Sequence, residues 1–215
     1  MPRSVPRPRA IVFDLDGTLV DSLPDIVGAF QDAFVELGLT APAAEAVRGR
    51  IGLPLEAMYA DFAPLEQVTA LTDAYRRIYP QRFSRTSRPF PGVPEVLAEL
   101  RAHGFRLAVA TTKRSDMATR FVAAMGLADA LDHVQGTDGF PHKPAPDVVH
   151  RALAALDAEG TWMVGDTTHD VGAGKAAGLA TYAVTWGTHD AEALAAAAPD
   201  RLEPDFATLV AAVLG

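Results

Sequence analysis

The 215-residue chain contains no cysteine. That excludes a disulfide framework and any thiolate metal site, and it leaves the cytoplasm as the expected compartment. Positive charge is also in short supply. The 19 Lys and Arg stand against 27 Asp and Glu, a formal −8 at neutral pH. Such a field repels a polyanionic duplex and argues against nucleic acid as a partner. No apolar run approaches the length needed to cross a bilayer, so no membrane partner is expected. The arginines of "MPRSVPRPRA" alternate with proline and no apolar stretch follows them before the first strand. That segment reads as a short flexible arm rather than a secretory leader. There is no internal repeat, and the only low-complexity patch, "AEALAAAAPD", reads as a plain surface helix.

What is present is enough apolar material, 49% of residues, to bury one substantial core with room for a second small unit. The stretch "AIVFDLDGTLVDS" is a run of β-branched and aromatic residues that stops at two aspartates, Asp14 and Asp16. From about Ser22 to Arg88 the apolar spacing is helical throughout: Leu23 to Leu37, Ala43 to Arg50, Leu55 to Phe62 and Leu65 to Phe83, the last limited by Pro80. After the proline-rich "SRPFPGVPEVL" the pattern changes to alternation. Helices over Val93–His103, Ser115–Met125, Ala145–Leu156 and His169–Ala177 are separated by apolar strands in "FRLAVAT", "LDHVQG", "TWMVGD" and "LATYAV". This predicts an α/β fold, a Rossmann-like doubly wound parallel sheet with right-handed crossovers, in which the first strand takes part. The expected division is a core of residues 1–21 and 89–215, with residues 22–88 inserted as an all-helical cap.

In an open α/β sheet, ligands bind beyond the carboxyl ends of the strands. Those ends carry Asp14 and Asp16, then Thr111 and Thr112, then Lys143 after the third strand, then Asp166 and Asp170. Several carboxylates on one rim repel one another unless a cation sits among them, and hard oxygen donors point to Mg²⁺. With a lysine and a hydroxyl alongside, the group becomes a receptor for a phosphoryl group.

The ordered elements "DLDGT", Thr111, Lys143 in "KPAPD" and "GDTTHD" resemble the motifs of the haloacid dehalogenase superfamily of phosphohydrolases. The helical insertion is similar to the cap of its phosphoglycolate-phosphatase-like subgroup. The resemblance implies that Asp14 attacks phosphorus to form an aspartyl-phosphate. Asp16 protonates the leaving alcohol and then deprotonates the hydrolytic water. Crowded by negative charge, Asp16 is expected to hold a proton more readily than a free carboxyl. Asp14, Asp16 through its backbone carbonyl, and Asp166 would bind Mg²⁺, with Asp170 either a further ligand or a carboxylate behind them. Thr111, Thr112 and Lys143 would hold the phosphoryl oxygens of a small-molecule phosphate ester. Asp at position 16 argues for a C–O–P substrate, 2-phosphoglycolate being the leading candidate. Thr112 and His142 depart from what many relatives carry.

A sugar-phosphate mutase is the alternative reading, but the mutases concerned carry a histidine and an arginine where this chain has Ile26 and Leu55. A catalytically silent phosphate-binding module is another, opposed by the intact Asp14 and Asp16. Arg48 and Arg50, in a loop loosened by glycines, are candidates for meeting an anionic substrate tail. His169 and His189 read as exposed loop histidines, and Lys113 and Arg114 as no more than positive charge on the rim. Trp162 reads as core packing. Hinges are expected near Asp21–Pro24 and Ser87–Gly92.

Overall fold

The computed structural model describes residues 7–214, so residues 1–6 of the expected flexible arm lie outside the described residues. β1 (Arg9–Phe13) is apolar on both faces because it lies inside the sheet, paired in parallel with β4 (Arg106–Ala110) on one side and β6 (Glu159–Gly165) on the other. The two-residue repeat of a strand divides its side chains between two cores. Ile11 and Phe13 join Leu107 and Val109 on one face, and Val12 joins Ala108, Ala110 and Met163 on the other. β5 (His133–Gln135), β7 (Ala180–Val184) and β8 (Arg201–Glu203) complete a parallel sheet of order β5-β4-β1-β6-β7-β8. Helices α5 (Val93–Ala102), α6 (Ser115–Ala124), α7 (Asp147–Leu156) and α8 (Thr168–Ala176) alternate with the strands. The doubly wound sheet expected from the alternation is present.

Between β2 (Val20–Asp21) and β3 (Arg88–Pro89) the chain is helical. It forms α1 (Leu23–Glu36), α2 (Ala44–Arg48), α3 (Leu55–Ala60) and α4 (Leu65–Ile78). Pro54 and Pro64 stand at the starts of α3 and α4, where a missing amide costs nothing. Pro80 turns the end of α4 into a short 3-10 turn, Tyr79–Gln81, so that helix stops before Phe83. The rings of Phe30 and Tyr59 stack at 4.0 Å and tie α1 to α3.

The two connections to the sheet run side by side. β2 and β3 pair antiparallel, Val20 with Pro89 and Asp21 with Arg88, a ribbon too short to leave a period in the sequence. Just beyond it, buried Asp25 accepts at Oδ2 from Thr86 N (2.9 Å), Ser87 N (2.9 Å) and Ser87 Oγ (2.8 Å). Strand β8 and the C-terminal helix α10 (Leu209–Leu214), after α9 (Ala191–Ala196), also went unread. The alanine-rich α9 is not wholly a surface helix, since Leu194 is fully buried in a small cluster with Val171 and Ala183. Among the described residues no helix is long and apolar enough to cross a membrane.

Candidate active site

The candidate site residues gather where β1 and β6 stop. Asp14 follows β1, is buried, and donates its backbone amide to Val164 O of β6 at 2.8 Å. Asp166 follows β6 and is fully buried, its carboxylate accepting from Thr18 Oγ1 (2.6 Å) and Thr188 N (2.7 Å). Thr167 caps α8 reciprocally with Asp170, whose Oδ2 accepts from Thr167 N at 2.9 Å. That box fixes the Asp170 carboxylate in the first turn of the helix. Two glycines leave room for these carboxylates. A Cβ on Gly165 would run into the Asp170 side chain, and one on Gly17, where φ is +87°, into that of Asp166.

Asp14, Asp166 and Asp170 each offer an oxygen within 4.8 Å of the others. Lys143, also buried, sits against two of them. Its Nζ donates to Asp14 Oδ1 (2.6 Å), Asp170 Oδ1 (2.5 Å) and Ala110 O (3.1 Å), which uses all three ammonium protons. Burial alone would favour the neutral amine, but Asp14 and Asp170 outweigh it and hold Lys143 protonated above its ordinary range. Burial pushes Asp14 well above the usual carboxylate range. Lys143 opposes that shift, while Asp170 and Asp166 add to it. Asp166 is pushed up to about 6, by burial first and Asp170 second, against the pull of its Thr18 and Thr188 hydrogen bonds.

Among the described residues, then, three buried carboxylates face one buried ammonium. With all three ionised, two negative charges would go uncompensated in a place where charge is costly, which is why the carboxyls of Asp14 and Asp166 shift upward in the absence of a cation. Their donors are hard oxygens, and the deficit equals the charge of one divalent cation. The donor set fits Mg²⁺.

Asp14 and Lys143 also line a chamber of about 690 Å³ between the sheet ends and the helical segment, together with Asp16, Thr112 and Thr167. Asp16 does not join the acidic cluster through its side chain. Its Oδ1 accepts from Ser22 Oγ at 2.6 Å, and its Oδ2 lies 3.1 Å from Lys113 Nζ. The expected crowding of Asp16 by negative charge is therefore corrected: the charge that touches it is a cation. Lys113, read from sequence as rim charge only, is nearly buried, donates to Tyr79 Oη at 3.0 Å and lies over the Tyr79 ring. It follows directly on the threonine pair of its strand end, and that position was the available signal.

Thr111 sits at the end of β4 as expected but is 1% exposed and outside the chamber lining. Its hydroxyl accepts from Lys113 N at 3.2 Å and shapes the loop, so of the threonine pair it is Thr112 that lines the chamber. Arg48 and Arg50 do not line the chamber either, since Arg50 is drawn to Asp61 at 2.5 Å. Ile26 and Leu55 do line it, an apolar pair where the mutases carry imidazole and guanidinium. His169 and His189 are half-buried rather than exposed, with rings 5.8 Å apart. Burial lowers the pKa of both. Trp162 packs against the core as expected.

Comparison with known proteins agrees with this geometry. The chain is 40% identical to the probable phosphatase IndB of Dickeya dadantii, over 94% of this chain and 92% of that one. It is 35% identical to a phosphoglycolate phosphatase of Aquifex aeolicus, over 83% and 85% of the two chains. A haloacid dehalogenase-like hydrolase from Streptococcus pneumoniae superposes with a TM-score of 0.86 at 30% identity, covering 96% of this chain and 98% of its own. Residues 11–184 match the family described as haloacid dehalogenase-like hydrolase. The ordered strand-end residues, the parallel sheet beneath them and this match together establish that the chain belongs to the haloacid dehalogenase-like hydrolase family.

Proposed function

We propose that the protein is a Mg²⁺-dependent phosphatase that hydrolyses a small-molecule phosphate monoester through an aspartyl-phosphate on Asp14. The observation that carries this reading is the uncompensated acidic cluster around Asp14 at the end of a ligand-sized chamber. The side chains of Asp14 and Asp166 and the backbone carbonyl of Asp16 would hold the ion. Asp170 stands behind them, with Oδ1 on Lys143 and Oδ2 on Thr167, and serves to aim Lys143. Bound there, Mg²⁺ would supply positive charge to the phosphoryl oxygens.

Lys143 holds Asp14 Oδ1, so the other carboxylate oxygen of Asp14 attacks phosphorus and the P–O bond to the alcohol breaks. The leaving oxygen takes a proton from Asp16, which Ser22 and Lys113 orient on the chamber wall. Water then attacks the phosphorus of the aspartyl-phosphate, giving its proton to the Asp16 carboxylate, and inorganic phosphate departs with Asp14 regenerated. Thr112 lines the chamber where it can donate to a phosphoryl oxygen. Residues 22–88 act as the cap that closes the chamber over the ester. The relatives named phosphoglycolate phosphatase make 2-phosphoglycolate the first metabolite to assay.

The test is hydrolysis of p-nitrophenyl phosphate and a panel of metabolite esters, with and without Mg²⁺, beside Asp14→Asn. Inorganic phosphate released only with the metal, and reduced by three orders of magnitude or more in the variant, is expected (roughly 10³-fold). Turnover that survives chelation or the variant would overturn the reading. Phosphate recovered on a second hydroxyl instead of in solution would point to the mutase.

A further inference from the structure

The chamber has two unlike ends. At one are the strand-end residues that the proposed chemistry uses. The part formed by the helical segment is mainly apolar: Ile51, Leu53, Leu55, Met58 and Tyr75 line it beside the Arg76–Glu56 pair, and Met117 of α6 also lines the chamber. Ile51 and Met58 are buried, and the ring of Tyr75 stacks at 5.1 Å on that of Tyr79.

A ligand with an anionic tail needs a cation to meet it, because an unpaired charge against such a wall loses its hydration without compensation. Among the described residues, every lysine or arginine that lines the chamber already faces a carboxylate. Arg76 lies 2.7 Å from Glu56, Arg114 lies 3.2 Å from Asp116, Lys113 is on Asp16, and Lys143 is on Asp14 and Asp170. Asp138 adds a further carboxylate to the lining. The arginines of the cap loop, which sequence alone offered for an anionic tail, are outside it. Size points the same way: at about 690 Å³ the chamber is far larger than a two-carbon acid phosphate requires.

We propose that the ester hydrolysed here has an uncharged leaving group with an apolar, ring-sized portion, seated between Tyr75, Met58 and Met117, and that a carboxylate-bearing ester such as 2-phosphoglycolate is a poor substrate. This rests on the phosphatase reading above and names the class of ester that the same site selects. Tyr75 offers the face of an aromatic ring, and Met58 and Met117 supply thioether side chains that adapt to a flat group.

The experiment compares kcat/KM for benzyl phosphate, glycerol 3-phosphate and 2-phosphoglycolate on the full chain with Mg²⁺. All three are alkyl esters, so the comparison is weighted toward recognition of the alcohol portion. Benzyl phosphate is expected to exceed 2-phosphoglycolate at least about tenfold, with glycerol 3-phosphate between them. Tyr75→Ala should narrow the ratio of benzyl phosphate to 2-phosphoglycolate. Leu55→Arg, which puts a cation on the apolar wall, should shift that ratio toward 2-phosphoglycolate by about the same factor. A thermal melt of each variant shows that it is folded. Preference of the unmodified chain for 2-phosphoglycolate, or a ratio that neither folded variant moves, would overturn the inference while leaving the phosphatase intact. Absence of Mg²⁺-dependent turnover of every ester would overturn both.

Discussion

The sheet ends and the helical segment meet across one chamber, yet they are built on opposite principles. On the sheet side the charged groups at the ends of β1 and β6, with Lys143, are buried and committed: Lys143 uses all three protons, Asp166 both oxygens, and Asp170 is shared between a capping box and Lys143. Glycines at 17 and 165 leave no slack around them. On the helical side the charges are half-exposed pairs, Arg50 with Asp61, Arg76 with Glu56 and Arg77 with Glu36, and of these the Arg76–Glu56 pair alone joins the apolar residues that line the chamber. Reaction chemistry requires fixed geometry, whereas recognition of a leaving group tolerates a wall that can be changed residue by residue. The contrast predicts that substitutions on the two sides differ in size and in kind.

The largest effect is expected at Lys143. Replacing it by Met leaves Asp14 and Asp170 buried against each other without their cation, at a cost of about 3–5 kcal/mol. Urea unfolding at neutral pH in the absence of metal measures it. A loss below about 1 kcal/mol would put the sheet side in the same class as the surface pairs of the helices.

Next comes Lys113, which belongs to the sheet loop but touches both sides through Asp16 and Tyr79. As a positioning residue for Asp16 it is expected to act on turnover more than on binding. Lys113→Gln should lower kcat by about ten- to a hundredfold with KM changed far less. Lys113→Arg, which restores the cation, should recover part of the loss. A variant that altered only KM would make Lys113 a substrate contact instead.

These two lysines also separate what the sequence revealed from what it hid. Lys143 was legible because it lies in the loop after the third strand of the βα alternation, in a "KPAPD" stretch that resembles a motif of the family. The partner of Lys113 was hidden, because which carboxylate a long side chain reaches depends on the direction of a loop that no periodicity encodes. The same holds for Arg50, which the sequence places on a cap loop and the structure ties to Asp61. That the sheet is parallel followed from βα alternation, but β2, β3 and β8 span only two or three residues and leave no pattern to read.

A smaller effect is expected at the join between the two regions. Burial alone would raise the pKa of Asp25, but the amides of Thr86 and Ser87 and the Ser87 hydroxyl outweigh it, and the carboxyl lies below its ordinary range. A depressed folded-state pKa stabilises the protein above the unfolded value, near 3.9 for aspartate, and that contribution is lost as the pH falls through the folded value (about 3.9 being the upper edge of the window). Asp25→Asn should therefore cost about 1–2 kcal/mol at pH 7, and the difference from the unmodified chain should shrink below pH 4 (roughly). If the two chains kept the same separation across that window, the carboxylate charge would not be what holds the linkers together.

The smallest effect is expected on the helical side itself. Arg76 is 2.7 Å from Glu56 with 43% and 51% of the two side chains exposed, and 3.8 Å from Asp73. Water competes for such a pair and salt screens it, so Arg76→Met should change stability by less than about 1 kcal/mol, and by less still at high ionic strength. Its more informative readout is specificity. Removing Arg76 frees Glu56 on the chamber wall and makes that wall more negative, so the preference for a neutral ester over an anionic one should widen. A loss of stability comparable to that at Lys143 would mean that the helical segment is as tightly committed as the sheet ends, and the contrast between the two sides would not hold.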